Sequence, residues 1–266
     1  MRLTSVCCGA RSSLKRLLST QKCIQMHEIG RMMTMNDVPK LVAALDTNNF
    51  DQFKRLSKNL VGEVDMVKVG LGHLGSGLDA ALKLVAEDGH QIFLDLKLFD
   101  IHETIARAVE GLSHLPLGLL TVHGDPHVVR AAVEGRKRGG GQFGLLAITL
   151  LTSLDHDDVL ASGYPDNPVE TLVLARAGRA LDAGADGVVA SAMEANVLRE
   201  KFGPSPMIVT PGIRPMEAAR DDQKRVVTPA DAVRAGASHL VVGRPIMLAD
   251  DPVLAARSIR LQMQQA

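Results

Sequence analysis

The chain has 266 residues, of which 46% are hydrophobic and 23% are charged, as in an ordinary folded globular protein. This composition excludes an intrinsically disordered chain, which combines low hydrophobicity with high net charge. Basic and acidic side chains are equal in number, so the overall charge does not predict nucleic-acid binding. No apolar run approaches the roughly 20 residues that cross a bilayer, and no membrane span is expected.

The first 35 residues differ from the rest of the chain in charge. They hold six basic side chains against one acid, together with all three cysteines, whereas the remaining residues carry 24 basic and 29 acidic groups. A basic, acid-poor leader is typical of an organelle transit peptide, and the alternative is an upstream start codon before a natural start at Met33 or Met35. We therefore predict a non-barrel extension over residues 1–35 and one folded domain over residues 36–266. A main domain without cysteine fits the cytoplasm, with an organelle as the alternative if the leader is a transit peptide.

Short apolar runs alternate with longer helical patterns along the domain. Helices are predicted over Gly77–Glu87, Pro126–Arg138 and Val169–Ala183, where apolar residues recur with a period of 3.6. The predicted strands are Lys40–Asp46, Met66–Gly70, Gln91–Lys97, Gly118–His123, Leu145–Leu151, Gly187–Ala190, Pro206–Thr210 and His239–Gly243. Eight strands separated by helices predict the α/β class and a single (β/α)8 TIM barrel. The alternative is a doubly wound open sheet, but no G-x-G-x-x-G follows the first strand.

Polar residues lie near the carboxyl ends of these strands, while the strand interiors are apolar. Active sites of (β/α)8 barrels are built at those ends, so the asymmetry predicts an enzyme. The polar residues are Asp46, Lys68, Asp95, Lys97, His123, Thr152, Ser153, Ser191, Thr210 and Arg244.

The third predicted strand ends in a charged cluster, Asp95-Leu-Lys97-Leu-Phe-Asp100. Side chains alternate along a strand, so Asp95 and Lys97 are expected to share the face toward the barrel mouth, while the intervening leucines face the helices. A lysine between two carboxylates stays protonated and fixed in place, which suits a proton donor. The alternative is a structural ion pair.

Two later segments predict a phosphate site. TPGIRP follows the seventh strand and VVGRPI ends the eighth, and barrel enzymes commonly bind phosphate after these strands. Gly243 lets the backbone approach an anion, and Arg244 can bind phosphate oxygens bidentately. Arg214 and Gln223 lie in a long polar loop, Pro211–Val227, that can close over a substrate. The alternative for Gly243 and Arg244 is a helix-start turn with a surface arginine.

Together, Asp-x-Lys-x-x-Asp, PGIRP, the glutamine nine residues after Arg214 and VVGRPI resemble the orotidine 5′-phosphate decarboxylase family of the bacterial, monofunctional type, over about residues 38–250. The resemblance implies decarboxylation of orotidine 5′-phosphate to UMP, the last step of de novo pyrimidine nucleotide synthesis, with neither cofactor nor metal. Sugar-phosphate decarboxylases and aldolases of the same superfamily share the first motif. A Mg²⁺-dependent decarboxylase of the 3-keto-gulonate-phosphate type and a non-catalytic phosphate-binding barrel therefore remain alternatives.

The resemblance also implies roles for single residues in the charged cluster. Asp46 and Lys68 would hold the ribose and complete the charged network. Asp95 would face the substrate carboxylate, and Lys97 would deliver a proton to the ring carbon. Asp100 and Thr104 would reach into the neighbouring subunit's site, which implies a homodimer with shared sites.

For the rest of the site, the resemblance places Thr152 beside the pyrimidine. Phosphate would be bound by Arg214, Gln223, Gly243 and Arg244, with Gln223 also bridging the closed loop to the base. Some residues depart from the family's usual pattern, which affects the expected dimer contacts more than the chemistry. They are Phe99 in place of His, His102-Glu103 in place of Pro-Asn, and Gly124 in place of Ala.

Overall fold

The computed structural model describes residues 38–215 and 227–266, and its parallel strands close into a barrel in sequence order. Each strand pairs in parallel with its neighbours in the chain, and β8 pairs with β1. The strands are β1 Lys40–Ala44, β2 Met66–Gly70, β3 Gln91–Leu98, β4 Leu117–His123, β5 Gly144–Ile148, β6 Gly187–Val189, β7 Met207–Thr210 and β8 His239–Val242. The predicted (β/α)8 barrel is confirmed.

Helices follow the strands and cover the outside of the barrel. They are α1 Phe50–Asn59, α2 Leu78–Glu87, α3 His102–Leu112, α4 Pro126–Gly139, α5 His156–Ala161, α6 Val169–Asp182, α7 Ala192–Phe202, α8 Pro229–Arg234, α9 Arg244–Met247 and α10 Pro252–Gln264, with a short 3-10 turn at Leu71–His73. The three helices predicted from periodicity are present within one residue of their expected ends. Gly184 and Gly236 follow α6 and α8 with φ of 103° and 96°, the left-handed conformation that ends helices.

Alternation along the strands separates two apolar layers. One face of each strand packs against the helices, as Leu41 and Ala43 do in β1. The other face fills the barrel interior, and its buried residues form the floor beneath the strand ends. This interior cluster consists of Val42, Ala44, Met66, Phe93, Leu119, Leu146, Val209 and Val241.

Two strands end more than one residue earlier than predicted, because pairing ends before the predicted run does. The pairing of β1 with β2 ends at Ala44 and Lys68. That of β5 ends at Ile148, since β6 supplies only three residues. Residues beyond these points, including Asp46 and Thr152, leave the sheet at the barrel mouth.

The end of β3 is irregular, but its side chains keep the predicted faces, since its leucines pack in the apolar layer against the helices. Leu94 lies opposite Leu120 and Leu98 opposite Val122, so four residues of β3 span two of β4. Such a bulge bends the strand and redirects side chains. Within it, Lys97 has a φ of 50°, and it is the only non-glycine residue of the described part of the chain with a positive φ.

Residues Pro39–Ala266 form one compact unit. The predicted boundary at residue 35 lies outside the described residues and stays a prediction. None of the helices within 38–215 and 227–266 has both the length and the apolar character to cross a membrane.

Candidate active site

A cavity of about 580 Å³ opens among the carboxyl ends of the strands. It is the place where the fold rule for barrel enzymes expects a site. Of the residues predicted from sequence, the cavity is lined by Asp46, Lys68, Asp95, Lys97, Thr152, Arg214, Gly243 and Arg244. Residues from distant parts of the chain therefore line the same cavity.

Four charged side chains of the cavity form a continuous network. Lys68 Nζ lies 3.0 and 2.9 Å from the two carboxylate oxygens of Asp46 and 3.3 Å from Asp95 Oδ2. Lys97 Nζ donates to Asp95 Oδ1 at 2.9 Å. Asp95 thus has one ammonium group at each oxygen, and buried charges are tolerated when they are paired in this way.

Asp95 is ionised in this environment. Burial, the largest single effect, raises the pKa of the Asp95 carboxyl, but the positive charges of Lys68 and Lys97 and the hydrogen bonds from Lys97 and Thr121 together outweigh it. The net result is a pKa below the ordinary value for aspartate. The cavity therefore presents a fixed negative charge directly beside the Lys97 ammonium.

Sequence reasoning missed Thr121, a fully buried residue of β4. Its hydroxyl donates to Asp95 Oδ1 at 2.9 Å and accepts from the backbone N–H of Lys97 at 2.9 Å. The alternation of side chains along β4 could have identified it, because Thr121 is two residues beyond Leu119 and hence on the same inward face of the strand.

Two arginines also line the cavity. Arg214 is buried, and its Nη1 donates to the carbonyl of Ile213 at 3.0 Å. Its backbone N–H donates to the carbonyl of Val227 at 3.1 Å, which ties together the two flanks of residues 216–226. Arg244 follows Gly243 as the first residue of α9. Two guanidinium groups in one cavity can bind a phosphate dianion through charge-assisted hydrogen bonds.

Gln223 and most of the loop predicted to close over the substrate lie outside the described residues, so their roles stay predictions. The remaining cavity wall is largely apolar. It includes Ile148, Leu150, Val189 and Val209, with Thr152 as a polar neighbour. An apolar wall with few polar groups is suited to an uncharged ring.

Asp100 and Thr104 lie outside this cavity and are exposed. Asp100 Oδ1 accepts a hydrogen bond from the backbone N–H of Ile101 at 2.7 Å. Within the described residues of one chain, no ion pair joins Asp100 to Lys97, so Lys97 is not held between two carboxylates of its own subunit.

The other polar residues predicted at the strand ends also lie outside the cavity, and three of them have local roles. The His123 ring packs against Phe99, with their centroids 4.6 Å apart. Ser191 caps α7 by accepting from the backbone N–H of Met193, and the hydroxyl of Thr210 donates to the carbonyl of His239. Ser153 is exposed.

The comparisons with known proteins agree with the fold and the cavity. The model of the orotidine 5′-phosphate decarboxylase / HUMPS family matches residues 39–259. Orotidine 5′-phosphate decarboxylase of Ruegeria pomeroyi is 51% identical over 228 residues, which is 84% of this chain and 93% of that protein. The enzyme of the same name from Nitrobacter winogradskyi is 48% identical, over 85% of this chain and 93% of its own length.

Solved structures show the same likeness. The crystal structure of orotidine 5′-phosphate decarboxylase from Lactobacillus acidophilus has a TM-score of 0.73 and 35% sequence identity, and the match covers 85% of this chain and 99% of that one. Since the family match spans well over half of the sequence and close relatives align along nearly their whole length, the chain belongs to the orotidine 5′-phosphate decarboxylase / HUMPS family.

Proposed function

We propose that this chain decarboxylates orotidine 5′-phosphate to UMP, releasing CO2. The observation that carries the proposal is the Lys97 ammonium, held 2.9 Å from the ionised Asp95 in a cavity that also contains Arg214 and Arg244. This cavity offers both a proton donor and two arginines that can bind phosphate. The names of the relatives from Ruegeria pomeroyi and Nitrobacter winogradskyi support this choice of substrate.

In the proposed reaction, the bond between the ring carbon and the carboxylate breaks, and its electron pair stays on the ring carbon. The Lys97 ammonium stabilises this developing negative charge and then donates a proton to the carbon. The Lys97 side chain is 35% exposed, so it can regain the proton from water.

The ionised Asp95 would lie against the substrate carboxylate, and release of CO2 relieves the repulsion between these groups. Lys68 and Asp46 extend the network toward the ribose. Arg214 and Arg244 would bind the phosphate, and this remote binding energy can offset the cost of bringing the two carboxylates together.

We propose that the reaction requires no cofactor, because the Lys97 ammonium supplies the positive charge that an electron sink or a metal would otherwise provide. A Mg²⁺ ion prefers carboxylate oxygens. Both oxygens of Asp95 already face ammonium groups at 2.9 and 3.3 Å. In the described part of the chain, no cluster of three His, Cys, Asp or Glu side chains could hold a metal ion.

We further propose a homodimer in which Asp100 and Thr104 of each subunit complete the partner's site. Both residues are exposed in the single chain. Phe99 and Ile101, on either side of Asp100, are 61% and 72% exposed, although both are large and apolar. Contiguous apolar exposure of this kind is typical of a surface that another protein covers.

The direct test is the loss of orotate-ring absorbance when purified protein is mixed with orotidine 5′-phosphate in the presence of EDTA. We expect full turnover, with a Lys97→Ala preparation as the control against a contaminating enzyme from the expression host. Turnover that disappears with EDTA and returns with Mg²⁺ would contradict cofactor independence. No turnover under any of these conditions would contradict the proposed substrate.

A further inference from the structure

We infer that Thr121 is a positioning residue, whose hydroxyl holds both the proton donor Lys97 and its partner Asp95 in their working geometry. The inference rests on the proposed function and goes one step beyond it, because Thr121 belongs to β4 and does not line the cavity. Its side chain is fully buried, so the hydroxyl is confined to the partners that surround it.

The first argument is the backbone of Lys97. Its φ of 50° lies in the left-handed region, which residues with a Cβ enter at an energetic cost. Such a conformation persists when surrounding contacts hold it in place. The bulge takes Lys97 out of the regular register between β3 and β4, and its N–H donates instead to Thr121 Oγ1 at 2.9 Å.

The second argument is the position of the hydroxyl proton. A hydroxyl has one hydrogen, and its oxygen already accepts from the backbone N–H of Lys97. The hydrogen is therefore available to Asp95 Oδ1, which lies 2.9 Å away. Lys97 Nζ donates to the same carboxylate oxygen at 2.9 Å. The result is a closed ring from the Lys97 backbone through Thr121 and Asp95 to the Lys97 ammonium.

This ring determines what removal of the hydroxyl would do. The charged groups facing Asp95 are Lys68 from β2 and Lys97 from β3, with Asp46 bonded to Lys68 on its far side. All of them remain in a Thr121→Val variant. Asp95 loses one hydrogen bond that favours its ionised form, so it becomes easier to protonate. The backbone N–H of Lys97 loses its partner, so the ammonium is less well placed.

Thr121→Val, Thr121→Ser and Thr149→Val form a matched set for the experiment. Thr149 is equally buried and does not line the cavity, and its hydroxyl donates only to the carbonyl of Val189 at 2.9 Å. The measurements are kcat on orotidine 5′-phosphate from pH 3 to 8, a range that reaches the lowered pKa of Asp95, and the Kd of UMP. A hydrogen bond to a charged group corresponds to about a 10- to 100-fold effect.

We expect kcat of Thr121→Val to fall by about this factor while the Kd of UMP stays within about threefold. The acidic limb of its kcat profile should move to higher pH. Thr121→Ser, which keeps the hydroxyl, should stay within about threefold of the wild type, and Thr149→Val should match the wild type.

An unchanged kcat and acidic limb in Thr121→Val would overturn the inference. Equal losses of kcat in Thr121→Val and Thr121→Ser, with unmoved acidic limbs, would also overturn it, since that pattern indicates that Thr121 acts through packing alone. UMP binding verifies that each variant is folded, and Thr121→Ala is the second hydroxyl-free variant. If neither Thr121→Val nor Thr121→Ala folds, the inference is judged on the kcat and the acidic limb of Thr121→Ser, which keeps the hydroxyl. A wild-type protein that binds UMP but does not turn over orotidine 5′-phosphate would instead contradict the proposed function.

Discussion

At the scale of single residues, Lys97 combines an unfavourable backbone conformation with the proposed role of proton donor. Its positive φ occurs within the bulge of β3, and its ammonium contacts Asp95 Oδ1 at 2.9 Å. The structure therefore holds Lys97 in this conformation through the hydrogen bond to Thr121 and the ion pair with Asp95.

Two substitutions of Lys97 separate the effect of losing its ammonium from the effect of its backbone conformation. We expect Lys97→Ala and Lys97→Gly both to lose at least about 10²- to 10⁴-fold in kcat, because each lacks the proton donor. Glycine tolerates a positive φ and alanine does not, so the glycine variant should be more stable by about 1 kcal/mol. Turnover measurements and urea unfolding test the two statements.

Lys83→Ala is the control, since Lys83 is exposed and pairs with Asp79 on the surface of α2. It should keep wild-type turnover. Wild-type-like turnover in either Lys97 variant would contradict the proton-donor assignment. Equal stability of the glycine and alanine variants would show that the backbone at position 97 relaxes without cost.

At the scale of elements, β8 serves two purposes at its two ends. His239 is buried at its start, where Nδ1 lies 2.9 Å from the hydroxyl of Ser238. Gly243 and Arg244 follow its last residue and line the cavity. If the second end binds phosphate as proposed, substitutions at the two ends should affect different measurements, stability at the first and binding at the second.

Arg244→Ala should weaken binding of the nucleotide far more than binding of the unphosphorylated nucleoside. A charge-assisted hydrogen bond contributes roughly 1.5–3 kcal/mol, so kcat/KM for orotidine 5′-phosphate should fall by about 10- to 100-fold or more. Orotidine lacks the dianion and should be almost unaffected. Equal losses on both substrates would mean that Arg244 shapes the barrel end and does not bind phosphate.

His239 should make stability depend on pH. Burial, with a smaller contribution from the positive charge of Lys40, lowers the pKa of His239 to about 4. In the unfolded chain its pKa is about 6.5. As the pH falls from 6.5 to 4, only the unfolded state gains this proton, so the folded state loses up to about 3 kcal/mol.

The free energy of unfolding, measured at pH 7 and pH 4.5, tests this coupling. Between these two pH values, the His239→Asn variant should lose less free energy of unfolding than the wild type, by about 2–3 kcal/mol. His114 is exposed, and His114→Asn should show the wild-type loss. Identical losses in His239→Asn and the wild type would show that folding does not lower the pKa of His239.

The sequence predicts the elements well because each strand is a separate apolar run. Their parallel order then brings Asp46, Lys68 and Asp95 to one end of the barrel, as expected. The bulge at Lys97 could not be predicted, since it depends on how β3 and β4 pair and not on the pattern within β3. Thr121 was missed for a related reason, because a threonine in a strand is compatible with both packing and hydrogen bonding.

At the scale of the whole molecule, exposed apolar side chains surround one side of the barrel mouth. Leu71 and Leu74 follow β2, and Phe99 and Ile101 follow β3, and all four are more than half exposed. Asp100 lies between the last two. A partner subunit that covered these side chains would also bring a second Asp100 to the mouth, which links the proposed dimer to the chemistry of the site.

Mixing two inactive variants tests this link. Lys97→Ala and Asp100→Ala dimers should each be inactive, yet their heterodimer should contain one site with an intact Lys97 and the partner's intact Asp100. With free subunit exchange, half of the dimers are mixed, so about a quarter of the wild-type activity should return.

Lys97→Ala mixed with Lys68→Ala is the control. Both lysines contact Asp95 of their own chain, so no site in that mixture is complete and no activity should return. If exchange is confirmed and the first mixture stays inactive, Asp100 does not act across an interface.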